Sequence, residues 1–405
     1  MLQILQLSEQ RQIEKIMQEI GVDPYGIRIM APKAITYLIR INSISNITAN
    51  ILKQEMLSLG AEVAVARSAL TGRIKKTDCL LMGNLVQFKR LCEKLNKQPF
   101  GLDRLANKID LALANYQNKN FKIDLDRYHL NLDDNRPLIM GIVNLTPDSF
   151  SGDGLYPSLG KHYTSYIDNV INFVEKMVKD GADIIDVGGE STRPGAEKVS
   201  VKEELERTIP VIKVLAKRIK VPISIDTYKP QVAKQALECG AVMVNDISGL
   251  RDSKMRRLVA KYKCGVVIMH MKGTPRTMQI NPVYKSLIDE LISYLDKAIE
   301  TALSYGIDKE KIIIDPGIGF GKTVEHNLEI LGRLKEFKVL GRPILVGPSR
   351  KSFIGKILNL PVQERLFGTI SSCILAVKNG ANIVRVHDVR SIKQALKIMQ
   401  EIEQR

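Results

Sequence analysis

The chain of 405 residues has room for two domains, one with a sizeable core, and its 44% hydrophobic and 26% charged residues are those of a soluble globular protein. No run approaches the roughly 18–20 uninterrupted apolar residues of a membrane span, and the opening MLQILQLSEQRQIEK meets Gln and Glu too early for a signal peptide, so a cytoplasmic protein with no membrane partner is expected. The net charge of +16 would suit nucleic acid, but Lys and Arg are spread rather than blocked; a solvated basic surface with an anionic small-molecule substrate fits better, and no nucleic-acid partner is expected.

In residues 1–130, AITYLIRI, AEVAVARS and DCLLMGN read as strands, and ITANILKQEMLSLG and VQFKRLCEKLNKQ read as helices. The order βαββα predicts a small α+β domain of ferredoxin-like type. RLANKIDLALANYQNKN follows as a trailing helix, and FKIDLDRYHLNLDDNRP reads as a linker. No catalytic constellation stands out here, and an assembly or packing module is favoured over a ligand sensor.

From residue 137 a unit repeats: a short β-branched run, a polar residue, a loop and a segment of helical period. The runs are PLIMGIVN, ADIIDVGG, VPISID, AVMVND, CGVVIMH, KIIIDPG, PILVGPS and ANIVRVH. Apolar strands alternating with amphipathic helices mean a parallel sheet covered by helices. Eight units over 131–405 predict an α/β fold, a (β/α)8 TIM barrel, with the active site where the strands finish. The finishing residues are Asn144, Asp186, Asp226, Asn245 with Asp246, His270, Asp315, Ser349, and Arg385 with His387. One such residue is commonly a helix cap; a ring of them predicts a polar pocket.

Among the loops, PGIGFGKT (316–323) is not a phosphate loop, because only three residues separate Gly317 from Gly321-Lys322. Its glycines suit a tight turn that a flat ligand can approach. GGESTRPGAE (188–197) would ordinarily be a capped connection, but Arg193 beside Pro194 offers a guanidinium held over the barrel mouth. In PSRKSFIG (348–355), Ser349, Arg350, Lys351 and Ser352 open a helix where two cations and backbone N–H groups converge. Arg385 and His387 alternate onto one face as an anion clamp, although a histidine there is more often a satisfied core residue. Five cysteines form no CxxC pair, which argues against thiolate metal centres and suits a reducing compartment.

Taken in order, GIVNLTPDSFS, DIIDVGGESTRPGA, ISIDTYKPQVAKQAL, NDISGL, MHMKGTPRTMQ, DPGIGFGKT, SRKSFIG and RVHDV resemble the signature segments of dihydropteroate synthase, over about residues 137–405. The resemblance implies condensation of 6-hydroxymethyl-7,8-dihydropterin pyrophosphate with 4-aminobenzoate, giving 7,8-dihydropteroate and pyrophosphate in folate biosynthesis, through a pterin-methylene cation. It implies pterin contacts from Asp226, Asn245, Asp315, Lys351 and Phe320. Pyrophosphate falls to Asn144, Arg385 and His387, with Asn144 also serving Mg2+. Aminobenzoate falls to Phe150, Thr192, Arg193, Pro194, Lys351 and Ser352. Asp226, Asp315, Lys351 and Arg193 are expected to carry the chemistry, with Asp226 and Arg385 in separate ring and anion subsites. A homodimer and sulfonamide inhibition are further implications.

One departure is the first loop. The family usually reads SFSDGG; this chain reads SFSGDGLYPSLGKHYTSYIDN, which displaces Asp153 and leaves its role and that of Asp148 open. Two other readings compete with the synthase. A methyltetrahydrofolate:corrinoid methyltransferase shares pterin-facing Asp and Asn but needs neither STRPG, SRKS nor RVHD. A non-catalytic paralogue would be expected to lose loop or anion-site residues, and none is lost.

Overall fold

The computed structural model describes residues 2–7, 9–133, 136–146, 161–191 and 197–403, with 161–165 by their backbone alone. The readings placed on Asp148, Phe150, Asp153, Thr192, Arg193 and Pro194 therefore lie outside the described residues. The chain forms two compact units, Met1–Ala114 and Asn115–Arg405.

In the first unit, helices α1 (Gln10–Glu19) and α2 (Pro24–Met30) precede β1 (Thr36–Ser45), α3 (Asn46–Ser58), β2 (Glu62–Val65), the single turn α4 (Arg67–Leu70), β3 (Lys76–Asn84) and α5 (Leu85–Leu95). The helix α6 (Leu102–Gln117) follows. The βαββα order is present, with β3 at the centre of an antiparallel sheet ordered β1-β3-β2. That is the ferredoxin-like arrangement up to its fourth strand, which this three-stranded sheet lacks. Local capping explains two of the helices: Ser45 Oγ accepts from Thr48 N at 3.0 Å to start α3, and Asn84 and Gln87 form a reciprocal capping box at α5. Their apolar faces meet β3 in a core of Leu52, Met56, Leu81, Phe88, Leu91 and Leu95, joined by Ala106 and Ile109 of α6. The helices α1 and α2 went unread, although Ile13, Ile16 and Met17 stand at helical spacing in α1, which buries none of its side chains.

The second unit opens with a hairpin, β4 (Asn120–Leu125) and β5 (Tyr128–Asp133), and then alternates strands and helices. These are β6 (Leu138–Asn144), α7 (Lys161–Lys179), β7 (Ile184–Gly188), α8 (Val201–Arg218), β8 (Ile223–Asp226), α9 (Pro230–Glu238), β9 (Met243–Asp246), α10 (Ser253–Tyr262) and β10 (Gly265–Met269). There follow α11 (Leu287–Ser304), β11 (Ile312–Asp315), α12 (Val324–Gly332), β12 (Leu345–Val346), α13 (Ser352–Leu358), α14 (Leu366–Lys378), β13 (Ile383–Val386) and α15 (Val389–Glu403). The eight strands β6–β13 are parallel, in the order β11-β10-β9-β8-β7-β6-β13-β12, and an Ile314–Ile344 bridge joins the two ends into a barrel.

Strand period two sorts the side chains into layers. Ile185, Val187, Ile223, Ile225, Val244, Val266 and Ile314 face the helices in the main core. Met140, Ile184, Met243, Val267, Ile313, Leu345 and Ile383 fill the barrel interior. Two residues beyond Ile184, Met243, Ile313 and Ile383 on that inward side stand Asp186, Asn245, Asp315 and Arg385. The polar layer thus lies one repeat above the apolar one, at the strands' C-terminal ends.

The segment read as a linker is the hairpin, and this moves the boundary from 130/131 to 114/115. Ile123, Leu125, Leu130 and Leu132 pack against the interior residues and close the barrel floor. Gly265, at the foot of β10, makes this possible: a Cβ there would stand 2.7 Å from Leu125 Cδ2.

Candidate active site

The centre of the polar layer is a four-residue network. Arg385 donates from Nε to Asp186 Oδ2 and from an Nη to Asp226 Oδ2, both at 2.6 Å. Asn245 Nδ2 also donates to Asp186 Oδ2, at 2.9 Å. Both carboxylates are buried, and each keeps its Oδ1 without a hydrogen-bond partner. An unpartnered buried acceptor is costly, so two of them on carboxylates bound to one arginine mark a place for a ligand with N–H donors. Burial pushes Asp226 up to about 7; Arg385 opposes the shift and the neighbouring Asp186 adds to it. Arg385 is accordingly not confined to an anion subsite: it is the counter-ion of Asp226, which is expected to meet the ring, and of Asp186.

The β11 end forms a second group. Asp315 is buried and accepts from Gly317 N at 2.7 Å through Oδ1, and burial raises its carboxyl against the pull of Lys351. Gly317 has φ +74°, and a Cβ there would fall 1.9 Å from the His270 carbonyl oxygen, so only glycine passes. Lys351 donates to the Ile318 carbonyl and lies 4.5 Å from the Phe320 ring centroid. Burial lowers its ammonium to about 8, with Asp315 opposing. Phe320 joins Tyr228 against Ile247, Met269, Met271 and Met278, an apolar cluster beside the polar layer. Lys322 is buried beneath the turn, 3.1 Å from His270 Nδ1 and 3.0 Å from the Phe320 carbonyl. Burial, reinforced by Lys322, lowers His270 to about 2, which keeps the imidazole neutral.

At the remaining strand ends, Asn144 Oδ1 and Asp226 Oδ2 lie 3.7 and 3.6 Å from the point where a Gly188 Cβ would stand, which sets the two side chains beside one another. His387 Nδ1 is 2.9 Å from Ser349 Oγ, and Ser352 is exposed at the first turn of α13. Arg350 departs from expectation. Its φ is +54°, and its guanidinium pairs with Asp388, with Nε 2.9 Å from Oδ2, so only Lys351 of the two cations joins the site. Asp246 also departs: it accepts from Ser248 N at 2.7 Å and Leu250 N at 3.2 Å and organises the turn after β9.

The sequence reading left Asp186 without a role and passed over Lys322, Glu190, Glu204 and Lys229. Strand period two, counted from the inward Ile184, finds Asp186; the others come from separate segments that only the fold brings together.

A family model described as "Pterin binding enzyme" matches residues 140–387. The chain belongs to the pterin-binding enzyme family. A Synechocystis dihydropteroate synthase is 50% identical over 265 residues, covering 65% of this chain and 89% of that protein. A probable bifunctional folylpolyglutamate synthase/dihydropteroate synthase of Halobacterium salinarum is 37% identical over 383 residues, 94% of this chain and 45% of that one. The solved Xanthomonas albilineans dihydropteroate synthase with 4-aminobenzoic acid superposes with a TM-score of 0.64 at 38% identity, over 70% of this chain and 98% of that one. This pterin-binding enzyme is a dihydropteroate synthase: it transfers the pterin methylene from pyrophosphate to aminobenzoate. The corrinoid methyltransferase and the non-catalytic paralogue fall away.

Proposed function

We propose that the barrel mouth divides the synthase reaction among named residues and runs it through a pterin-methylene cation. The observation that carries this reading is the unpartnered, buried Asp226 Oδ1 beside Asn245 and above Asp186. A pterin edge offers amidine-like N–H donors, and Asp226, Asn245 and Asp315 supply their partners. Phe320 and the Lys351 stem flank the ring, and the Lys351 ammonium meets its acceptor side.

The methylene–oxygen bond then breaks heterolytically and the electron pair leaves with pyrophosphate, toward Asn144, Arg385 and His387. Carboxylates fixed around the ring stabilise the developing cation without reorganising. The aniline lone pair forms the new C–N bond, and its nitrogen releases one proton to solvent or to the departing pyrophosphate. Phe150, Thr192, Arg193, Pro194, Lys351 and Ser352 make up the aminobenzoate subsite, where a sulfonamide would compete.

Asn144 would offer Mg2+ one amide oxygen, and among the described residues no group of three or more His, Cys, Asp or Glu could hold a metal ion. That suits an ion carried by the substrate's phosphate oxygens and its own waters; when bound, it would neutralise charge on the leaving group. Among the described residues no helix is long and apolar enough to cross a membrane. A cytoplasmic homodimer acting on small molecules, with no nucleic-acid partner, completes the proposal.

The test is complementation of a strain deleted for its own dihydropteroate synthase. The wild-type chain restores growth without folate end products, and soluble Asp226→Ala does not. Full rescue by Asp226→Ala would remove Asp226 from the pterin subsite.

A further inference from the structure

Away from the pterin network, the ends of the β7–α8 connection meet at one ammonium group. Lys229, just before Pro230 opens α9, donates from Nζ to a Glu190 carboxylate oxygen, to Glu204 Oε2 at 2.5 Å and to the Val199 carbonyl at 2.6 Å. Glu190 stands two residues beyond β7, Val199 two residues before α8, and Glu204 in the first turn of α8. Tyr228 OH donates to Glu190 Oε1 at 3.1 Å, and Arg207 donates to the Gly189 carbonyl at 2.8 Å. The side chains of Lys229, Glu190 and Glu204 are 11%, 9% and 1% exposed, so this is a built network rather than a surface ion pair.

Its construction is more than the fold requires. Helix α8 already has its N-cap in Ser200, whose Oγ accepts from Glu203 N at 3.1 Å, and α9 starts on a proline. Burying an ammonium with two carboxylates contributes little net stability relative to apolar packing. What it does supply is a fixed spacing: one cation joins both feet of the same connection, three residues after Asp226.

We infer that Lys229 is a positioning residue for aminobenzoate, fixing Glu190 and Val199 at the two ends of the connection whose sequence carries Arg193. The inference rests on the reading that Arg193 serves aminobenzoate. Lys229 touches no substrate; it acts through the two feet, so its loss falls on one substrate and not on the other.

The test uses the full-length enzyme. Because Lys229→Met alone strands two buried carboxylates and risks unfolding, it is paired with Lys229→Met/Glu204→Gln, which removes both partners of the most buried pair. Lys229→Arg, which restores a cation, and Arg193→Ala are run beside them. The double variant is expected to melt near the wild-type temperature and to exchange amide hydrogens faster at 189–191 and 197–199. Its KM for aminobenzoate should rise about tenfold, with the dissociation constant for the pterin pyrophosphate unchanged, and Lys229→Arg should recover most of the loss. Equal weakening of both substrates, or faster exchange with an unchanged aminobenzoate KM, would overturn the inference. If Arg193→Ala itself leaves aminobenzoate KM unchanged, the subsite reading fails and takes the inference with it. If Arg193→Ala raises KM and the double variant does not, only the role of Lys229 is wrong.

Discussion

Arg385 shows how one side chain can belong to two subsites. Its Nε and Nη groups are engaged by Asp186 and Asp226, so pyrophosphate must compete with, or be added to, those contacts. Removing it would leave two buried carboxylates adjacent without a counter-ion, a disruption of about 3 kcal/mol. Arg385→Ala is therefore expected to weaken calorimetric binding of a bare pterin as well as of the pyrophosphate ester; normal bare-pterin affinity in that variant would restore the separate subsites expected from sequence. The same environment sets a pH dependence. Asp226 is raised to about 7, chiefly by burial, so its carboxylate is gained as pH rises through about 7; Lys351 is lowered to about 8 by burial, so its ammonium is lost above that. A plot of kcat/KM for the pterin pyrophosphate should fall on both sides of this interval, and Asp226→Asn should abolish the acid limb. An acid limb that survives in Asp226→Asn assigns it to another group.

At the scale of elements, the floor hairpin decides where the barrel unit can be cut. Four buried side chains, Ile123, Leu125, Leu130 and Leu132, meet the interior layer. A cut at 131 removes three of them, Ile123, Leu125 and Leu130; at roughly 1.5–3 kcal/mol each, their loss is comparable with the whole stability of an ordinary domain, about 5–15 kcal/mol. A fragment beginning at 131 should be insoluble or molten by circular dichroism and dye binding; cooperative unfolding of that fragment at the wild-type temperature would make the hairpin dispensable. The hairpin was legible and was passed over. FKIDL and YHLNL alternate strictly, and Asp126-Arg127 between them is a two-residue turn with Asp126 at φ +53°. The barrel strands were readable because each is a short β-branched run ending in a polar residue. Arg350 and Asp246 misled because their neighbours in sequence face the site, whereas a left-handed backbone turns Arg350 to Asp388 and the opposite strand face takes Asp246 into a turn. Lys229 with Glu190 and Glu204 could not be read, since two connections and the first turn of α8 supply it.

For the whole molecule, each unit holds its own core, and the Halobacterium relative matches across 94% of the chain rather than the barrel alone. The hydrogen-bonded polar layer of Asp186, Asp226, Asn245, Asp315 and Arg385 is drawn from the second unit. A fragment of residues 115–405 is thus expected to unfold cooperatively and retain synthase activity, measured as aminobenzoate-dependent pyrophosphate release; a soluble but inactive fragment would make the first unit part of the catalyst. The central claim concerns the order of bond changes, and it has a direct measurement. Pterin pyrophosphate carrying 18O in the bridge to the methylene is incubated with enzyme and Mg2+ without aminobenzoate, and the recovered ester is examined for label in non-bridging positions of the attached phosphate. Reversible ionisation predicts scrambling into those positions before any aminobenzoate is added. Label that stays in the bridge, in enzyme that turns over normally once aminobenzoate arrives, would contradict the cation and require direct displacement.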